Sequence, residues 1–336
     1  MRLEQVSIQY GHHRVLKSIQ LEMKEGEIFV LMGPSGSGKT TLVKGMAGLI
    51  PFSEGEIIWE EKKGQTGLVF QEPRLFPHMT VLENIAFGLR VKGVSKKERN
   101  QQVMEFLKIL QLEGLEDRYP YQLSGGQQQR VSLGRVLVLK PDLLLLDEPF
   151  ASLDQPLRIQ LTEWLYSLQR SHGFSVLWIT HYVDEAFTVA DRVGLLMDGE
   201  IIQEGEPLDF YQKPSSERVA SFFALSNRFS RVQWQKWIPN HCFMEKTKEM
   251  GWIPAHVIYI ETSSISSYSG GLENEEFVWI EGMVKRVKYG TKTQMVLIES
   301  KGECLEVELN VWEKAPVVGA AVRVGIPFNK IVWYPR

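Results

Sequence analysis

The sequence predicts an α/β protein with a mostly parallel sheet over residues 1–225, followed by a small all-β domain over residues 226–336. Three observations carry this prediction. Short apolar runs bounded by polar or turn residues, the signature of buried strands, occur at 28–32 (IFVLM), 67–70 (GLVF), 143–146 (LLLL), 176–179 (VLWI) and 193–197 (VGLLM). Between them lie stripes at helical spacing: Val103, Phe106, Leu107 and Leu110 in one, and Leu157, Leu161, Trp164, Leu165 and Leu168 in another. After residue 226 the pattern turns to alternation, with Leu305, Val307 and Leu309 separated by Glu306 and Glu308, then Val322 and Val324. Short half-exposed strands with Gly and Pro turns of this kind read as a barrel-like β domain.

Bulk properties narrow the class. The 336 residues, 43% hydrophobic and 24% charged, are enough for two ordinary globular domains. With 38 Lys+Arg against 41 Asp+Glu, the net charge of −3 gives no global basic field for nucleic acid or anionic lipid. Cys242 and Cys304 lie far apart without zinc-type spacing, so neither a disulfide framework nor a metal site is expected, and a reducing cytoplasm fits. The N-terminus lacks a basic region followed by an apolar core, and no apolar run approaches the roughly 18 residues that span a bilayer. If a membrane is involved, another chain crosses it. The KKER cluster at 96–99 reads as a solvated helix start.

The first chemical motif is GPSGSGKT at 33–40, which follows the strand IFVLM and precedes the stripe Leu42, Met46 and Leu49. Strand, glycine loop and helix in that order make a phosphate loop: Gly33, Gly36 and Gly38 wrap backbone N–H groups around phosphate oxygens. Lys39 places a point charge on the β- and γ-phosphates, and Thr40 offers a hydroxyl to Mg²⁺. LLLLDEPF at 143–150 supplies a buried strand ending in two acids. Asp147 can hold Mg²⁺ through its water shell, while Glu148, pointing elsewhere one residue on, can take a proton from an attacking water. The second acid favours hydrolysis over transfer to another acceptor.

Other strand ends converge on the same crevice. His181 follows VLWI and Thr180, where an imidazole can sense the γ-phosphate, and Gln71 follows GLVF, where an amide can orient a water or touch Mg²⁺. Tyr10, in QYGHHRVL, reads either as a ring stacked on a base or as a surface turn aromatic. YQLSGGQQQR (121–130) reads either as a plain Gly-Gly turn beside solvated glutamines, or as a helix start capped by Ser124, with Gly125 and Gly126 leaving backbone N–H groups open to an anion.

Together these motifs resemble the ATP-binding subunit of ATP-binding-cassette (ABC) transporters. The resemblance covers residues 1–225 and rests on GPSGSGKT, the Gln71 loop with QEPRLFPHMTVLENIAFGL, LSGGQ (123–127), LLLLDEPF with ASLD (151–154), and His181, in the family's order. It implies a RecA-like P-loop NTPase core with a helical subdomain over about 76–139. It also implies a head-to-tail homodimer sandwiching two ATP molecules, with Mg²⁺ at Thr40, Gln71 and Asp147. The nucleotide would then lie against Tyr10, Gly33, Pro34, Ser35, Gly36, Ser37, Gly38, Lys39, Thr40 and Thr41 of one copy. Ser124, Gly125, Gly126 and Gln127 would close the site of the other, and Asp154 lies in the linking loop. Glu148 would be the base, His181 the switch, and Gln71 and Lys39 would complete the catalytic set.

More narrowly, LFPHMTVLENIAFGL and the β extension are similar to importer subunits for iron(III), sulfate, molybdate, polyamines or sugars, with an OB-like C-terminal regulatory or dimerising domain. That similarity implies transmembrane permease subunits as partners, an external solute-binding protein acting indirectly, and a peripheral place on the cytoplasmic face of the membrane. No nucleic-acid partner is expected. A soluble cassette acting on ribosomes or DNA, or an exporter subunit, is the alternative reading. Three departures stand out: Gly134 in SLGRVL, where the family has Ala and a helix interior loses about 1 kcal/mol; Tyr182 in place of an acid after His181; and WIPAHV (252–257), which lacks the Arg and Glu of the R-P-E-H pattern.

Overall fold

The computed structural model describes residues 1–59, 64–238, 249–262, 265–266 and 277–335. Cys242 lies outside the described residues. The chain divides into two compact units, Met1–Pro207 and Leu208–Arg336. The first contains, in order, β1 (Arg2–Tyr10), β2 (His13–Glu22), β3 (Ile28–Met32), α1 (Lys39–Met46), β4 (Glu54–Ile58), β5 (Thr66–Val69), α2 (Val81–Val91), α3 (Lys96–Ile109), α4 (Gly125–Leu137), β6 (Leu143–Asp147), α5 (Gln155–His172), β7 (Ser175–Ile179), α6 (Val183–Val189), β8 (Arg192–Met197) and β9 (Glu200–Gly205).

The main sheet has the order β5-β6-β7-β3-β8-β9. Five of its strands run parallel and β9 closes the edge antiparallel to β8. All five residues of β3 and of β6 are buried, because helices and a second sheet cover both faces. Each fully buried Leu of the run at 143–146 contributes about 1.5–3 kcal/mol, enough to fix the strand against its weak intrinsic propensity. The register sets Asp147 beside Ile179 and Leu31 beside Ile179, so β6, β7 and β3 end level with one another.

A second sheet, β2-β1-β4, is antiparallel and packs Leu3, Leu16 and Leu21 into one core with Phe29 of β3 and Leu42 and Val43 of α1. The helical stretch has its own core, built from Val81, Ile85, Leu107, Leu110, Val131 and Val138. Gly134 sits inside it. A Cβ there would lie 2.4 Å from Leu110 Cδ1 and 3.3 Å from Ile85 Cδ1, so the glycine permits the close approach of α4 to its neighbours. Its propensity cost is therefore offset by packing. Leu49, assigned from its spacing to the α1 stripe, falls beyond the helix end and is exposed.

The second unit begins with two short helices, α7 (Asp209–Gln212) and α8 (Glu217–Phe222). It continues through β10 (Arg228–Ser230), α9 (Arg231–Trp234), β11 (Met250–Trp252), β12 (Tyr259–Thr262), β13 (Ile265–Ser266), β14 (Phe277–Tyr289), β15 (Thr293–Ser300), β16 (Glu303–Asn310), β17 (Ala321–Pro327) and β18 (Val332–Tyr334). It is strand-rich, with an antiparallel ladder β13-β12-β17-β14-β15-β16 and a smaller sheet β10-β11-β18. Leu305, Val307 and Leu309 point into its core as the alternation requires. Residues 208–225, which local patterning groups with the first domain, fall in this unit. Glu217 explains why: its carboxylate accepts from Arg228 and from the Tyr334 hydroxyl, both at 2.6 Å. Among the described residues no helix is long and apolar enough to cross a membrane.

Candidate active site

Four strand ends of the main sheet deliver the predicted residues to one edge. The phosphate loop leaves β3 through Gly33, at φ 152°, and enters α1 at Gly38, at φ 106°. A Cβ on Gly33 would strike the Leu196 carbonyl at 2.2 Å, so only glycine can make this turn. Unlike the N-termini of α2, α3 and α4, that of α1 has no side-chain cap, and no acidic residue occupies its first turn. Its backbone N–H groups and dipole are thus directed toward the loop, the arrangement that binds a phosphate. The Ser37 hydroxyl is buried there with no hydrogen-bond partner among the described residues. Ser35 and Pro34 are exposed at the loop's crest, and Thr41 is half-buried behind it.

Lys39 folds back over the loop and donates to the carbonyls of Gly33 at 2.8 Å and Pro34 at 2.9 Å. Burial lowers its pKa, and the facing carboxylates of Glu148 and Asp147 oppose that shift. Thr40 Oγ1 donates to Asp147 Oδ1 at 3.0 Å. Burial raises the Asp147 pKa, partly offset by the Thr40 hydrogen bond. The two side chains present an alcohol and a carboxylate oxygen side by side, the hard donor set that Mg²⁺ takes.

Glu148 turns away from Asp147 because its backbone is left-handed, at φ 47°, a conformation that costs a non-glycine residue about 1–3 kcal/mol. The turn is held by its N–H, which donates to the Ile179 carbonyl at 3.1 Å. It aims the Glu148 carboxylate at His181, with Oε2 3.1 Å from Nδ1. The structure thus brings together Lys39, Thr40, Asp147, Glu148 and His181. Gln71, two residues beyond β5, is exposed at the next strand end, and Tyr10 is exposed at the β1–β2 turn.

The signature turn is capped by its own residues. Ser124 Oγ accepts from the Gln127 N–H at 3.3 Å, and Gln127 Oε1 accepts from the Ser124 N–H at 2.9 Å. Gly125 and Gly126 have a second reason to be glycine: a Cβ would lie 3.2 Å from Leu153 and 3.1 Å from Leu157 respectively. Asp154 is exposed and is the N-cap residue of α5, but its side chain makes no capping hydrogen bond.

Several contacts around the site involve residues that motif reading passed over. Gln129, buried in α4, donates to the Phe70 carbonyl at 3.4 Å. Arg135 donates to the Arg74 carbonyl at 2.7 Å and lies 4.5 Å over the Phe76 ring. These tie the segment around Gln71 to the helix that LSGGQ begins. Glu185 accepts from Thr162 at 3.1 Å and from Thr180, the residue before His181. No local spacing announced Glu185: it lies in α6, which starts at Val183, and its partners come from α5 and from the end of β7.

The ABC transporter family profile matches residues 16–151. An "Fe(3+) ions import ATP-binding protein" (FbpC) of Escherichia coli O157:H7 is 34% identical over 95% of this chain and 93% of its own length. A "Sulfate/thiosulfate import ATP-binding protein" (CysA) of Pectobacterium atrosepticum is 42% identical over 71% of this chain and 76% of its own. An FbpC of Fusobacterium nucleatum is 41% identical over 68% of this chain, which spans 63% of that relative's length. Among solved structures, cbiO1 from Clostridium perfringens superposes with a TM-score of 0.59 at 29% identity, covering 63% of this chain and 90% of that one. A dimeric ATP-binding cassette in a post-hydrolysis state, bound to ADP and Pi, gives 0.55 at 33% identity, covering 61% and 98%. With matches of this extent at these identities, the chain belongs to the ABC transporter family, as one of its ATP-binding, ATP-hydrolysing subunits.

Proposed function

We propose that this chain energises solute import through a separate membrane permease. It works as a head-to-tail dimer, with ATP held between the phosphate loop of one copy and the LSGGQ turn of the other. The observation that carries the reading is the Glu148–His181 pair, 3.1 Å apart beside Lys39 at the end of the sheet. The import relatives named above and the dimeric cassette support the transport and dimer parts. The chain would act at the cytoplasmic face of the membrane, bound to its permease, with an external solute-binding protein delivering cargo.

In the mechanism, the loop N–H groups and the Lys39 ammonium hold the β- and γ-phosphates. They stabilise the charge that develops as the terminal P–O bond breaks. The Glu148 carboxylate accepts the proton of the attacking water, a step typically worth about 10²–10⁴ in rate. His181 orients that carboxylate and reaches toward the γ-phosphate, while Gln71 orients the water. Thr40 and Asp147 would hold Mg²⁺, which when bound supplies charge neutralisation on the phosphate oxygens.

Steady-state ATPase assays of Glu148→Gln test the core of this reading. Turnover falls by at least about 10²-fold while ATP binding and ATP-dependent dimerisation persist. Unchanged turnover would remove Glu148 as the base. Capture of the same variant from native membranes with ATP and Mg²⁺ brings down a multi-span permease. Ribosomal or DNA-associated proteins in its place would overturn the import reading and leave the hydrolytic chemistry intact.

A further inference from the structure

His181 is nearly half exposed, and its Nδ1 lies 3.1 Å from the Glu148 carboxylate. An imidazole so placed needs something to hold its plane. The residue that follows it does this: the Tyr182 ring lies 4.0 Å from the His181 ring, centroid to centroid. Tyr182 is in turn gripped by Arg158, whose guanidinium carbon sits 3.7 Å from the centre of the phenol ring. Arg158 belongs to the first turns of α5, four residues after Asp154.

The backbone beneath the rings is pinned separately. Thr180 Oγ1 accepts from the Tyr182 N–H at 3.1 Å and donates to Glu185, which also accepts from Thr162 of α5 at 3.1 Å. Main chain and side chain are thus tied to α5 at two different points. Between α5 and α6 a cleft of about 200 Å³, lined by Arg158, Thr162, Tyr182 and Glu185, gives an ungripped phenol ring room to swing away.

We propose that Tyr182 is a positioning residue for hydrolysis, clamped by Arg158 so that its ring fixes the His181 imidazole in line with Glu148. This rests on the reading that His181 works at the γ-phosphate. It assigns a purpose to a position where resemblance leads one to expect an acid. An acid would pair with Arg158 by charge but could not lay a ring against the imidazole, as Tyr182 does at an interplanar angle of 37°.

The test is steady-state ATPase kinetics of the full chain with His181→Ala, Tyr182→Leu, Tyr182→Phe, Arg158→Leu and the Arg158→Leu/Tyr182→Leu double variant. Losing a half-buried cation–π contact corresponds to about a three- to tenfold fall in kcat for either Leu variant, with KM for ATP nearly unchanged. Tyr182→Phe, which keeps the ring, rescues turnover. The double variant loses no more than the worse single one, because both changes remove one contact. Full kcat in Tyr182→Leu alongside a crippled His181→Ala overturns the clamp alone. Full kcat in His181→Ala overturns the clamp together with the role of His181. Additive losses, or a raised KM with kcat kept, also overturn it. Should Tyr182→Leu not fold, Arg158→Leu carries the test in a Glu185→Gln background, since Arg158 also faces the Glu185 carboxylate and that background removes the charge it would otherwise leave behind.

Discussion

Replacing Gly134 by Ala separates helix propensity from packing, because the two predict opposite signs. In an exposed helix the change would stabilise by about 1 kcal/mol. Here the new methyl would lie 2.4 Å from Leu110 Cδ1 and 3.3 Å from Ile85 Cδ1, and both neighbours are fully buried. Neither can yield without displacing others in the same core, and forcing a methyl into such a site costs about 1–3 kcal/mol. The propensity gain offsets part of this, leaving a net loss of about 1 kcal/mol, or a fall of about 2–4 °C in the melting temperature of a unit this size. Thermal unfolding of the full chain without nucleotide measures it. Adding Leu110→Val, which withdraws the clashing methyl, should recover part of the loss. A Gly134→Ala chain that melts higher than the natural one would refute the packing reading and return Gly134 to a simple helix weakness.

Further outcomes follow from contacts already described. Burial raises the Glu185 pKa in the folded chain, so its charged form is disfavoured relative to the unfolded state. The folded chain therefore binds the proton first as pH drops, and this destabilisation is fully present above the folded pKa and fades on acidification. Glu185→Gln accordingly raises the melting temperature at neutral pH, with a gain that shrinks toward the ordinary carboxylate range. A gain independent of pH would point away from the carboxyl. Arg135→Ala removes a charged donor to the Arg74 carbonyl and the contact over Phe76, costing about 1.5–3 kcal/mol by denaturant unfolding. Tyr334→Phe leaves Glu217 without one of its two donors and destabilises the second unit by about 1–3 kcal/mol, measured as an earlier transition on heating.

The strands legible in the sequence are those with no compromise in them. β3, β6, β7 and β8 are buried on both faces, so an unbroken apolar run is sufficient to find them within a residue of their ends. The sheet of β1, β2 and β4 gave no comparable signal. Its ladders shift register, and Gln5 and Ser18 adopt φ of 48° and 51°, so side chains do not keep a period of two. The division at Pro207 was hidden for another reason: Glu217 meets Tyr334 across 117 residues, and nothing local announces that pairing. At the site, Lys39, Thr40, Asp147, Glu148 and His181 were legible because each is a strand-end or loop position with few chemical substitutes. Arg158, Glu185 and Arg135 were not, since they act on neighbours and their residue types are common on any helix.

The capping box at Ser124 has a thermodynamic consequence for assembly. The hydroxyl and amide of Ser124 and Gln127 are already engaged with each other's backbone, and Gly126 is seated on Leu157. The chain entropy of this turn is lost when the subunit folds, not when two subunits meet. In the proposed dimer the turn would arrive rigid, with little left to immobilise, so the free energy of closure would go into the nucleotide contact itself. A stiff turn also transmits displacement without absorbing it: an arriving phosphate would move the whole of α4, and with it the Gln71 segment that Gln129 and Arg135 hold.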